Sequence, residues 1–244
     1  MSPSQGEDRE FESRCPLIKI CYNTFMISNV QNLIEILTSA RLSSYKKDGT
    51  EDLVLLDNYI YNIKVAESFY PALSLLEITL RNKICYAIET LIKKDWLINE
   101  YQNQQILGEK EYQKVQEAVN NLTKQGKKLT NDRLIAEMTF GFWIHLCTKT
   151  YKPKFWDKKG FFELVFPNYQ PKSELRQITK IQNNLRTILR LRNRIFHHEI
   201  IINGKISPNE YYQLILDLLH LMSDDILQLL NQISQFQSIV KQKP

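Results

Sequence analysis

The chain has 244 residues and a mass of 28.9 kDa, 43% hydrophobic and 24% charged, which places it among ordinary globular proteins and excludes disordered and fibrous classes. Thirty-two Lys and Arg against 27 Asp and Glu leave a net charge of +5, which permits an anionic partner without requiring one. No basic leader precedes an apolar run, and no stretch reaches the ~18 apolar residues of a membrane span, so a cytoplasmic protein with no membrane partner is expected.

Seven Gly and eight Pro are about half of what average usage supplies, so the chain is expected to be all-α, built from long helices. The stretch from Pro71 to Pro153 contains no proline and predicts several helices in series. Cys15, Cys21, Cys85 and Cys147 form no CxxC pair, which argues against a zinc knuckle or a disulfide framework and for reduced thiols in or near a core.

Residues 1–14 are polar and predict a flexible tail, leaving 15–244 as a single domain. Val30 to Leu42 has helical apolar spacing behind Asn29 as N-cap, and SSYKKDGTED at 43–52 reads as a loop. From Asp52 to Trp96 apolar residues recur at three and four, with Pro71 marking the first turn of a second helix. Glu109 to Lys124 predicts a helix ended by a basic turn at Gln125, Gly126 and Lys127. Asn131 to Thr148, centred on MTFGFWIHLC, reads as a buried helix or helix pair, with Gly141 allowing close packing. His145 and His220 have apolar neighbours and read as satisfied core residues.

Residues 149–172 interleave Lys149, Lys152, Lys154, Lys158 and Lys159 with Tyr151, Phe155, Trp156, Phe161 and Phe162. Such a segment can bind single-stranded nucleic acid by phosphate contacts and stacking. The commoner arrangement packs the aromatics and leaves the lysines solvated. Ser173 opens a long helix running to about His198, and a turn at Gly204 leads into a last helix from Pro208 through Ile233. Its near-heptad apolar stripe suits an antiparallel partner helix and a dimer interface.

The densest polar cluster, Arg192, Asn193, Arg194, His197, His198 and Glu199, falls at the end of that long helix. Asn193 and His197 are four apart and share a face, whereas Arg192 and His197 are five apart, about 140° around the helix. One copy therefore does not focus Arg192 and His197 on one point, while two copies across a two-fold axis do. Imidazole titrates near neutrality and can move a proton, a guanidinium can hold a phosphorane's charge, and an amide can orient a neighbour. RNA brings its own 2′-hydroxyl nucleophile, so these residues suit a transesterification needing no metal and no cofactor.

Simpler readings stand beside this one. His-His-Glu at a helix C-terminus can serve the terminal carbonyls, worth about 0.3 to 1 kcal/mol. A metal site is disfavoured, because adjacent histidines point about 100° apart and metal pairs prefer i, i+4 spacing.

The run Arg192-Asn193-Arg194-Ile195-Phe196-His197 resembles the RNxxxH form of the Rx4-6H motif of HEPN ribonucleases, and LRLRNRIFHHEI resembles a segment of the Abi-like abortive-infection proteins of the AbiD and AbiF type. FYPALSLLEITLRNKI at 69–84, MTFGFWIHL at 138–146 and VFPNYQ at 165–170 resemble further segments of that family, in family order. The chain departs from the family pattern at Ile200, where a proline is usual.

The resemblance implies a HEPN-type helical bundle with additional N-terminal helices, a homodimer, and a metal-independent endoribonuclease used in phage defence or as an RNA-regulated toxin. It implies Arg192, Asn193 and His197 as catalytic residues. Glu77, Arg81 and Asn82 on the family's first helix would support the site, with Arg194 and His198; a local Glu77–Arg81 salt bridge is the plainer role for that pair. RNA is the implied partner, as substrate and as a structured noncoding RNA that holds the protein in check. The alternative is a non-catalytic RNA-binding protein that sequesters such an RNA in the same cleft.

Overall fold

Helices supply the regular elements of the computed structural model, which describes residues 30–46, 52–170 and 178–243; no strand occurs among them. The all-α expectation therefore holds for these residues. The flexible-tail expectation, Asn29 as a cap, Cys15, Cys21 and the Ser173 helix start lie outside the described residues.

The described residues divide into two compact units, those up to Ile60 and those from Tyr61 to Lys243. In the first, the helix expected over 30–42 is two: α1 (Val30–Leu37) and α2 (Ser39–Leu42). Thr38 separates them at φ 65°, and its hydroxyl accepts from the Arg41 N–H at 3.4 Å, capping α2. A 3₁₀ turn over Ser43–Tyr45 follows, and Tyr45 packs edge-on to Tyr59 at 5.4 Å on α3 (Asp52–Ser68), the helix that runs into the second unit.

The second unit is arranged around α4 (Tyr70–Leu91), which has Pro71 in its first turn and buries Leu73, Leu76, Leu80, Ile84 and Ile88 at three- and four-residue intervals. After it come α5 (Trp96–Gln102), α6 (Glu109–Lys124), α7 (Asn131–Glu137), α8 (Phe140–Leu146) and α9 (Phe161–Val165). Then follow α10 (Ile178–Phe196), α11 (Pro208–Met222), α12 (Asp224–Ile233) and α13 (Phe236–Val240). Helix α4 packs on α8, α9, α11 and α12, whereas the main neighbours of α10 are α8 and α11. Gly141 faces α10, but a Cβ there would lie 3.8 Å from Leu189, an ordinary contact, so the packing does not require the glycine expected to allow close approach.

Helix α6 has the predicted bounds and ends where Gly126 takes φ 64°, its N–H bonded to Thr123 O and that of Lys127 to Leu122 O. The predicted last helix, by contrast, is broken. Ser223 is extended (φ −171°, ψ 123°), its hydroxyl accepts from the Ile226 N–H at 3.4 Å, and Asp224 and Asp225 occupy the first turn of α12. The break lets α13 fold back, so that Phe236 stacks on Tyr212 at 4.0 Å and meets Phe69 at 4.8 Å. Among the described residues no helix is long and apolar enough to cross a membrane.

Candidate functional site

Helix α10 carries Lys180, Arg186, Arg190, Arg192 and Arg194 and no acidic residue. Its buried side comprises Ile181, Leu185, Ile188 and Leu191. Asn193 and His197 are exposed one turn apart on the outer side. Arg192 lies on the flank nearer the core, half-buried, with its guanidinium 4.3 Å from the centre of the Phe196 ring. Phe196 is 55% exposed, so the pair sits at the rim of the core, where a cation–π contact is worth about 0.5 to 1 kcal/mol. One chain thus brings Asn193 to His197 and Arg192 to Phe196, and does not bring Arg192 to His197.

The helix ends in a left-handed cap. His198 takes φ 56° and donates its N–H to Ile195 O at 3.1 Å, while the Glu199 N–H bonds to Arg194 O at 2.8 Å. This is the paired bonding of a Schellman stop, with His198 where glycine is usual. Three groups fix the chain beyond it. The Arg194 guanidinium donates to Ile200 O and pairs with Glu199 at 3.4 Å. Gly204 passes so close that a Cβ would lie 3.3 Å from Arg194 Nη1. Asn62 of α3, buried, accepts from the Ile201 N–H at 2.8 Å and donates to Glu199 O at 3.3 Å. Asn62 was not foreseen in the sequence, because its partners lie some 140 residues along the chain and no local pattern marks it.

On α4, Glu77 and Arg81 are half-buried and Asn82 is exposed, with Arg81 Nε donating to Asn82 Oδ1 at 3.4 Å. Among the described residues no ion pair joins Glu77 to Arg81 or to Arg192, so the local bridge is not formed and Glu77 does not reach the catalytic candidate of its own chain.

The segment of interleaved lysines and aromatics is packed. Tyr151, Phe155 and Phe161 are fully buried and stack in series at 5.7 and 5.6 Å, and the Trp156 indole donates to Leu146 O at 2.8 Å. These rings are therefore closed to bases. Lys152, itself exposed, pairs with Asp157, and Lys154 donates to Ile106 O; Lys149, Lys158 and Lys159 are exposed. The groove beside Lys158 and Lys159 also contains Asp157 and Glu163, so its charge is mixed.

Neither His145 nor His220 is the core residue expected. His220 is exposed, because its flank of α11 faces solvent, and pairs at 2.6 Å with Asp224, the first residue of α12 across the break. His145, partly exposed, meets the buried Glu111 at 3.4 Å. Glu111 also accepts from the Tyr151 hydroxyl at 3.0 Å, which in turn accepts from the Gly108 N–H at 3.0 Å. Burial pushes the Tyr151 hydroxyl up to about 12. Cys85 and Cys147 are buried free thiols, and burial raises both, Cys85 to about 12. Among the described residues no three His, Cys, Asp or Glu side chains converge on a metal-sized space.

Comparison with protein-family models, curated proteins and solved structures finds no match to this chain.

Proposed function

We propose that the chain is a metal-independent endoribonuclease of the HEPN type, of the Abi-like group, that acts as a homodimer in phage defence or as an RNA-regulated toxin. The observation that carries the reading is the end of α10: Asn193 and His197 exposed together, Arg192 turned to the adjacent flank, and no carboxylate on the helix. Two such ends facing each other would place the Arg192 of one copy opposite the His197 of the other.

In that cleft one His197 takes the proton of a 2′-hydroxyl as its oxygen attacks the adjacent phosphorus. The bond to the 5′-oxygen breaks, and the second His197 delivers a proton to that leaving oxygen. Arg192 holds the extra charge on the non-bridging oxygens, and Asn193 orients the imidazole or the attacking group. The products are a 2′,3′-cyclic phosphate and a 5′-hydroxyl.

The test incubates wild type and His197→Ala, purified side by side, with cellular RNA and EDTA. Cyclic-phosphate ends from the wild type alone support the reading. Equal cleavage by His197→Ala refutes it. If neither cuts and both retain one discrete RNA after purification, the sequestering alternative takes its place.

A further inference from the structure

Asn183, Arg186, Arg190, Asn193 and His197 follow one another at intervals of three and four residues along α10, and all five are exposed. That spacing places them on one face, in a line covering about 16 Å from Arg186 to His197. Arg186 lies with Nε and a terminal nitrogen 3.0 Å from the side-chain amide of the buried Gln182, which accepts from both when its oxygen is assigned to that side, the assignment the donors require. Arg190 donates to Thr187 Oγ1 at 3.0 Å, and that hydroxyl donates to Asn183 O at 3.0 Å. Both guanidiniums are therefore oriented by neutral partners, neither is ion-paired among the described residues, and each retains outward donors.

Two arginines steadied by an amide and a hydroxyl, on a helix without acid, keep their charge uncompensated for an external anion. The groove at Lys158 and Lys159 lacks this property, since Asp157 and Glu163 share it.

We infer that the Asn183–Arg186–Arg190 face of α10 is a phosphate track that carries the backbone of a single RNA strand toward His197. The identity of the polyanion rests on the endoribonuclease reading; the track itself rests on the charge pattern. Contacts of this kind position the strand and carry no sequence information, so binding along the track is sequence-tolerant and salt-dependent.

The experiment measures binding of a mixed-sequence single-stranded RNA oligonucleotide to full-length protein carrying His197→Ala, between about 50 and 200 mM salt. Each phosphate contact to a single strand contributes about 0.7 to the slope of log K against log salt. Adding Arg186→Gln with Arg190→Gln is expected to reduce that slope by about 1.4 and to weaken binding more than about fivefold. Arg186→Lys with Arg190→Lys is expected to retain most of the slope, and Lys127→Gln with Lys128→Gln, which removes the same charge elsewhere, to retain all of it. An unchanged slope in the Arg→Gln pair overturns the proposal, as does a loss that falls instead on Lys158→Gln with Lys159→Gln. Absence of RNA binding by the unaltered track overturns it too. RNA binding that depends on both arginines in a protein that never cleaves would uphold the track and remove the endoribonuclease reading.

Discussion

Replacing Asn62 with alanine should destabilise the second unit far more than its single amide suggests. The side chain is 4% exposed and serves two backbone groups beyond α10, the Ile201 N–H at 2.8 Å and Glu199 O at 3.3 Å. Ile201 is 1% exposed, so water cannot replace the lost acceptor, and an orphaned buried donor costs about 1 to 3 kcal/mol. The longer bond to Glu199, nearer the surface, adds about 0.5 kcal/mol, giving roughly 1.5 to 3.5 kcal/mol in all. For a unit of this size each kcal/mol moves the melting temperature by about 2 to 4 °C, so Asn62→Ala is expected to melt roughly 3 to 14 °C lower. Asn62→Asp keeps the acceptor for Ile201 but buries a carboxylate against the Glu199 carbonyl, so at neutral pH a loss at least as large is expected. Urea unfolding followed by circular dichroism gives the difference directly, and exchange of the Ile201 amide reports the local opening. A loss below about 0.5 kcal/mol for the alanine variant, with Ile201 still protected, would refute the reasoning.

His198→Gly should be neutral or stabilising by up to about 1 kcal/mol, since φ 56° suits glycine; a loss above about 1 kcal/mol in the same urea assay would show that the side chain does more than turn the chain. Tyr151→Phe removes the acceptor of Gly108 and a donor to the buried Glu111, so a loss of about 1 to 3 kcal/mol is expected, and an unchanged urea midpoint would sink that account. Burial raises the Cys85 thiol from 9.0 to about 12, so the folded state holds that proton more tightly than the unfolded one. The stabilisation is complete below pH 9 and is lost as the pH rises toward about 12; a urea midpoint level across that window, or rapid alkylation at Cys85 of folded protein at neutral pH, contradicts it.

Helices with a local stop or start were legible in the sequence. Pro71 marks the first turn of α4, and Gly126, at φ 64°, ends α6. Where periodicity and capping disagreed, periodicity misled: apolar spacing runs through Ser223, yet Ser-Asp-Asp is a cap followed by an acidic first turn, and the chain obeys the cap. Helix α5 was missed because it is seven residues long, starts after Asp95 at φ 52°, and is held by the burial of Trp96 and Leu97 rather than by a local signal. The angular divergence of Arg192 and His197 followed from helical geometry alone. What that geometry could not supply were the partners from distant segments, Asn62 to Ile201 and Glu111 to His145, which exist only once the helices pack.

The residues between Arg192 and His197 have tasks of their own, and these limit how the motif is to be interpreted. Arg194 ties the following segment through Ile200 and Glu199, Ile195 packs against the core, and Phe196 carries the Arg192 guanidinium. His198 then reverses the chain. A substitution at Arg194, Phe196 or His198 that abolishes activity therefore has a structural explanation at hand and is weak testimony for chemistry. Asn193 and His197 are different: both are exposed on the outer face, and the only bond between them given by the fold is the backbone one from the His197 N–H to Asn193 O, which any side chain preserves. A loss of RNA cleavage in Asn193→Ala or His197→Ala with stability and RNA binding both unchanged would thus speak for catalysis directly. Arg192 stands between the two groups, because its alanine variant loses a rim contact of about 0.5 to 1 kcal/mol as well as a charge, and only a comparison with Arg192→Lys at matched stability separates the two effects.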